Sequence, residues 1–168
     1  MINRILRYGL IFILLFLLQV LLFNNIKFSG YVNPYIYIMF ILLLPAEIPS
    51  WLLLILSFFT GLTMDLFSGT PGMHTSATVM AGFIRPYTLR IISPRDGYEP
   101  GTDPSMMVYG LKWFLIYSSL IVIVHHLTLF YLEVFRLTDF FSTLLRVILS
   151  SLFTVAFIIL LEYIRKGK

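Results

Sequence analysis

From Tyr8 to Phe23 the chain runs without a charged residue, and comparable apolar stretches recur at Trp51–Phe67, Leu111–Tyr131 and Phe140–Tyr163. Runs of this length constrain the fold more than any other feature of the sequence. A helix that crosses a bilayer needs roughly 20 apolar residues, within about 17–25. A soluble domain carries about 25% charged residues, whereas this chain carries 12% against 59% hydrophobic. Too little polar surface is present to coat a water-soluble globule. Segments in lipid must satisfy their own backbone groups, so spanning elements are helices or closed barrels. The alternation of a transmembrane barrel is absent. The chain therefore reads as all-α.

Six spans are predicted, at about 6–23, 31–44, 51–67, 73–84, 111–131 and 140–163. They form a single integral membrane domain over residues 1–168. The second and fourth are short; Pro34 opens the second, and the fourth ends near Ile84 or continues past Pro86. Arg4 and Arg7 precede the first run as in a signal peptide. No small-x-small cleavage pattern follows, so an uncleaved first helix is expected. The connections carry turn chemistry: "PAEIPS" at 45–50, "SGTPG" at 68–72 and one long loop, 85–107.

Charge distribution sets an expected orientation. With six spans, one side carries Arg4, Arg7, Arg85, Arg90, Arg95, Lys112, Arg165, Lys166 and Lys168. The other carries Lys27 and Arg136, with Arg146 inside the sixth span. Basic residues in short loops stay cytoplasmic. Both termini, the 45–50 link and the 85–107 loop are therefore expected on the cytoplasmic side of the membrane. In that loop Arg85, Arg90 and Arg95 form a candidate partner surface and also suit anionic lipid. The basic residues form no aromatic-interleaved stripe, so nucleic acid is not an expected partner.

Ionisable groups within spans are expensive and mark candidate sites. Asp65, His125, His126 and Arg146 are all expected in the outer half of the bilayer. A polar cluster of Asp65, His125 and Arg146 is one reading, with Arg146 neutralising Asp65. The alternatives are that Asp65 caps the turn at Ser68–Gly69 and that Arg146 snorkels to the interface. His125 and His126 are adjacent and point about 100° apart on a helix of 3.6 residues per turn. One of them is therefore expected to be a neutral interfacial residue. No catalytic residue, cofactor site or metal site is expected. There is no HExxH, no GxSxG, no pair of intramembrane aspartates and no cysteine. A lone carboxylate cannot act as both acid and base.

The stretch "GLTMDLFSGTPGMHTSATVMAGFI" at 61–84 resembles the signature region of the MreD family of bacterial rod-shape-determining membrane proteins. The matching residues are Gly61, Asp65, Gly69, Pro71 and Gly72. Pro71 abuts Gly72 directly, where the family often has another residue before the second glycine. The resemblance implies a six-helix bundle similar to the S components of energy-coupling-factor transporters. It also implies a place in the elongasome, with a bitopic MreC-like partner. Actin-like MreB and a transpeptidase/glycosyltransferase pair would be reached indirectly. A second expectation is a substrate-capturing transporter subunit. S components dock through small residues, often alanines, in their first helix, and the first run here has no alanine.

Overall fold

The computed structural model describes residues 2–25, 32–99, 101–135 and 139–166. Among the described residues the regular structure is helical, with no strand. The helices are α1 (Ile2–Leu21), α2 (Met39–Leu43), α3 (Ser50–Ser68), α4 (Met73–Ile91), α5 (Met106–Tyr109), α6 (Leu111–Val134) and α7 (Phe140–Lys166). Among the described residues four stretches are long and apolar enough to cross a membrane: Arg4–Asn25, Ser50–Ser68, Leu111–Val134 and Phe140–Arg165. Their outward residues are large and apolar, as on Leu10, Phe59, Leu66, Phe141 and Leu152. Such a surface suits lipid and not water.

Helices α3, α4, α6 and α7 pack in chain order, side by side. Helix α1 lies against α3 and against the segment that precedes α2. Phe23, just beyond α1, meets Phe157 of α7 edge to face at 4.9 Å. The helices thus surround residues 32–44, and Ile36–Leu44 are each at most 6% exposed.

This central segment departs from the sequence reading. In place of a continuous span over 31–44, it consists of extended residues, one 3₁₀ turn (Ile36–Ile38) and the five-residue α2. Irregular backbone at membrane depth survives only where protein buries it. Here side chains from the surrounding helices supply the missing hydrogen bonds. Ser150 Oγ accepts from Asn33 N at 3.0 Å, and Thr154 Oγ1 accepts from Tyr35 N at 3.0 Å. Gln19 Oε1 accepts from Ile36 N at 2.7 Å, while Gln19 Nε2 donates to Pro34 O at 3.1 Å.

Arg85 performs the matching task at the other end. Its guanidinium donates to the carbonyls of Leu42, Leu44 and Pro45, and its Nε donates to Tyr117 Oη at 2.7 Å. Tyr117 in turn donates to Leu42 O at 3.0 Å. Helix C-termini leave carbonyls unpaired and carry partial negative charge, so a buried cation is stabilising there.

The fourth span takes the longer of its two expected forms. Pro86 removes one N–H, yet α4 continues through it to Ile91. Arg85 and Arg90 therefore sit on a helix, and of the three expected loop arginines only Arg95 lies in the loop. Arg85 is 1% exposed and unavailable to a partner. The loop itself is pinned without a partner. Arg4 donates to Gly101 O at 2.5 Å, and Asp103 pairs with Arg7 and accepts from Tyr8 Oη at 2.5 Å. Asp103 also lies 3.9 Å from Arg165. Tyr98 donates to Leu89 O at 2.6 Å, and its burial pushes its hydroxyl up to about 12. The start of α1, the end of α7 and the 101–105 loop thus meet at one end of the molecule. Lys27 and Arg136 lie outside the described residues.

Close packing of α3 on α4 depends on Gly61. A Cβ there would stand 2.6 Å from His74 O. Gly9 of α1 has nothing within 4 Å of such an atom. Gly61→Ala is expected to destabilise the protein by about 1–3 kcal/mol, and Gly9→Ala by none or less. Thermal unfolding in detergent micelles measures both.

Candidate functional site

The turn between α3 and α4 is built around Asp65. Gly69 and Gly72 take left-handed φ values of 66° and 81°, which reverse the chain within a few residues. Asp65 O accepts from Gly69 N at 3.0 Å, closing α3. Its carboxylate then reaches the start of α4. Oδ2 accepts from Gly72 N at 3.0 Å, Thr75 N at 3.0 Å and Thr75 Oγ1 at 2.6 Å. Oδ1 accepts from His74 N at 2.9 Å and Thr70 Oγ1 at 3.1 Å. The first N–H groups of a helix lack internal partners, and negative charge is favoured there. Asp65 meets both needs from the preceding helix and has no acceptor capacity aimed elsewhere.

His74, fixed through its own N–H, enters a buried polar network. Tyr37 Oη lies 3.0 Å from His74 Nδ1, 2.6 Å from His125 Nε2 and 3.2 Å from Thr78 Oγ1. His125 Nδ1 is 3.4 Å from His126 Nδ1, which is 2.9 Å from Val122 O. His126 Nε2 is 3.1 Å from Thr154 Oγ1. With one proton on each ring, a single arrangement satisfies all these contacts. His126 Nδ1–H faces Val122 O and His125 Nδ1. His125 Nε2–H and His74 Nδ1–H donate to Tyr37. Tyr37 donates to Thr78, whose hydroxyl donates to His74 O at 2.7 Å. Thr154 accepts from Tyr35 N and donates to His126. Each ring carries one proton, and no two donors confront each other. The ring of Tyr35 packs among the three imidazoles at 5.1–6.1 Å.

Arg146 lies at the same end as the turn. It pairs with both carboxylate oxygens of Glu133, at 3.1 and 3.2 Å, and stacks on Phe130 at 4.3 Å. With its amide oxygen turned toward Arg146, Asn33 accepts from Nη2 at 2.7 Å.

The expected cluster of Asp65, His125 and Arg146 is therefore not assembled. Asp65 is held by backbone amides and threonines, Arg146 by Glu133, and His125 by Tyr37. Of the sequence alternatives, the capping role of Asp65 is the one the geometry supports, although it caps the start of α4. Neither His125 nor His126 is interfacial, since both are 0% exposed. Sequence reasoning missed Gln19, Tyr37, His74 and Glu133. Gln19 carries a signal, as the lone amide in the first apolar run. Tyr37 and Glu133 carry none, because their roles depend on residues distant in the chain.

No group of three His, Cys, Asp or Glu residues positioned to hold a metal ion is present among the described residues. No protein-family model, curated protein or solved structure matches the chain.

Removing the Asp65 carboxylate orphans several donors at once. Asp65→Ala is expected to cost about 2 kcal/mol, the upper range for a helix cap. Combined with Arg146→Ala its effect is expected to be additive, as for independent sites. The Glu133→Ala/Arg146→Ala cycle is expected to show coupling of a few tenths to about 1 kcal/mol, since Glu133 is 40% exposed. Unfolding midpoints of the single and double variants measure both cycles.

Proposed function

We propose that this chain is a non-catalytic membrane scaffold of the MreD type, a subunit of the rod complex that regulates cell shape and lateral peptidoglycan synthesis. The observation that carries the reading is the unity of the motif. Gly61, Asp65, Gly69 and Gly72, together with Pro71 between the two turn glycines, build one structural device, the α3–α4 hairpin. The carboxylate that would be the natural catalytic candidate is fully engaged in capping. Among the described residues the buried histidines are engaged with Tyr37, Thr154 and one another, and their hydrogen bonds reach no serine or cysteine.

In this reading the chain makes six passes in the inner membrane. Four are the long apolar helices, the fifth is α4, and the sixth is the buried segment 32–44, which runs from the level of Gln19 to that of Arg85. Both termini lie in the cytoplasm. The end that holds Arg4, Arg7 and Arg165 is the basic one, in keeping with the bias of cytoplasmic loops. An apolar groove of about 890 Å³ between α1 and α3, lined by Phe12, Phe40, Leu56 and Phe59, suits the single membrane helix of an MreC-like partner. MreB and the transpeptidase/glycosyltransferase pair would be reached through that partner. The bundle would be similar to that of transporter S components.

One observation favours the second reading, a solute-capturing transporter subunit: a polar cavity opens at the end opposite the termini. Affinity purification from native membranes with mass spectrometry separates the two. Recovery of a bitopic MreC-like protein with cell-wall synthases is the expected result. Recovery of an ATPase with its coupling subunit would overturn the scaffold reading.

A further inference from the structure

The cavity at that far end measures about 360 Å³, within the range of about 300–1,000 Å³ for small-ligand sites. It lies where the ends of α1, α3 and α6 meet the starts of α4 and α7. Its charges cancel. Arg146 and Glu133 saturate each other through two contacts, and Asn33 takes a further Arg146 N–H. A free anion would have to displace Glu133, and a free cation would have to displace Arg146.

Uncharged hydrogen-bonding capacity remains. The Tyr35 hydroxyl, which can both donate and accept, makes no hydrogen bond among the described residues, although Tyr35 N is bound to Thr154. His74 uses Nδ1 toward Tyr37, and Nε2 has no partner among the described residues. The proton arrangement of the network makes that Nε2 an acceptor. The Ser68 hydroxyl receives only a long contact of 3.4 Å from Asn24 Nδ2. These neutral donors and acceptors share one lining of the open cavity and are available to a ligand. Phe23, Phe67 and Leu129 give the same cavity apolar faces.

We propose that this cavity binds a neutral polyhydroxylated ring, a sugar. Hydroxyls on such a ring both donate and accept, matching Tyr35, Ser68 and His74, and its C–H faces suit the phenylalanines. The ring could arrive as a soluble saccharide or as the headgroup of a glycolipid in the adjoining leaflet. The proposal stands apart from the scaffold reading, which needs no ligand.

The test uses the full chain in nanodiscs of zwitterionic lipid. Methyl α-D-glucopyranoside, followed by ligand-observed NMR, is the soluble arm. Nanodiscs doped with monoglucosyl diacylglycerol, read by native mass spectrometry, are the lipid arm. Inorganic phosphate and ethanolamine are the charged probes. Saturable binding in one sugar arm, undisturbed by either charged probe, is expected. Tyr35→Phe is expected to weaken it about tenfold, the loss of one hydrogen bond, with an unchanged unfolding midpoint. No binding in either sugar arm, tighter binding of a charged probe, or sugar binding indifferent to Tyr35→Phe would each overturn the proposal. Recovery of partners by the Tyr35→Phe protein, measured in parallel, keeps that failure distinct from failure of the scaffold reading.

Discussion

The structure depends on how residues 33–45 satisfy their backbone groups. This stretch passes through the middle of an apolar bundle with only a 3₁₀ turn and a five-residue helix of its own. Unpaired amides and carbonyls at membrane depth each cost several kcal/mol. The surrounding helices therefore carry the required partners at fixed heights. Gln19, Ser150 and Thr154 serve the entry, and Arg85 and Tyr117 serve the exit. The contacts come from α1, α4, α6 and α7, so the position of each of those helices is tied to the same central strand of backbone. Arg85 shows how far this goes. A buried cation without a carboxylate partner among the described residues is stabilised by three carbonyls and a phenol.

The α3–α4 turn extends that arrangement. Asp65 orders the first turn of α4, and His74 N is among the groups it holds. His74 then reaches Tyr37, the residue immediately after the first of the 3₁₀ turn. A carboxylate on α3 is thereby linked through two residues to the central segment. This chain of contacts explains why a charged residue occupies the end of an apolar helix. Its work is structural: it fixes the α3–α4 hairpin and, through His74, the central segment.

Much of the architecture was legible from the apolar runs, because the membrane imposes length and helicity on any lipid-facing span. The central segment was legible as short and Pro-opened, but not as buried, since an apolar run reads alike whether it faces lipid or protein. Pro86 leaves two ends open for the fourth span in the sequence, and α4 takes the longer one because a single missing N–H is tolerated in a packed helix. The pairing of Asp65 with Arg146 failed for a reason of proximity. Each charge found a nearer partner in its own stretch of chain, Asp65 in amides seven to ten residues onward and Arg146 in Glu133, thirteen residues before. A charge in an apolar run is legible in the sequence; the backbone amides that hold Asp65 are not, because the turn brings them together. His74 was overlooked because it sits in a turn motif whose glycines and proline draw attention to chain reversal.

The central claim is that side chains replace the missing ladder around residues 33–36. Residue-resolved hydrogen exchange of the protein in nanodiscs tests it most directly. The account predicts that the amides of Asn33, Tyr35 and Ile36 exchange as slowly as those in the middle of α6, and that Gln19→Leu releases Ile36 selectively. Exchange of these three amides at the rate of exposed coil in the unaltered protein would contradict it.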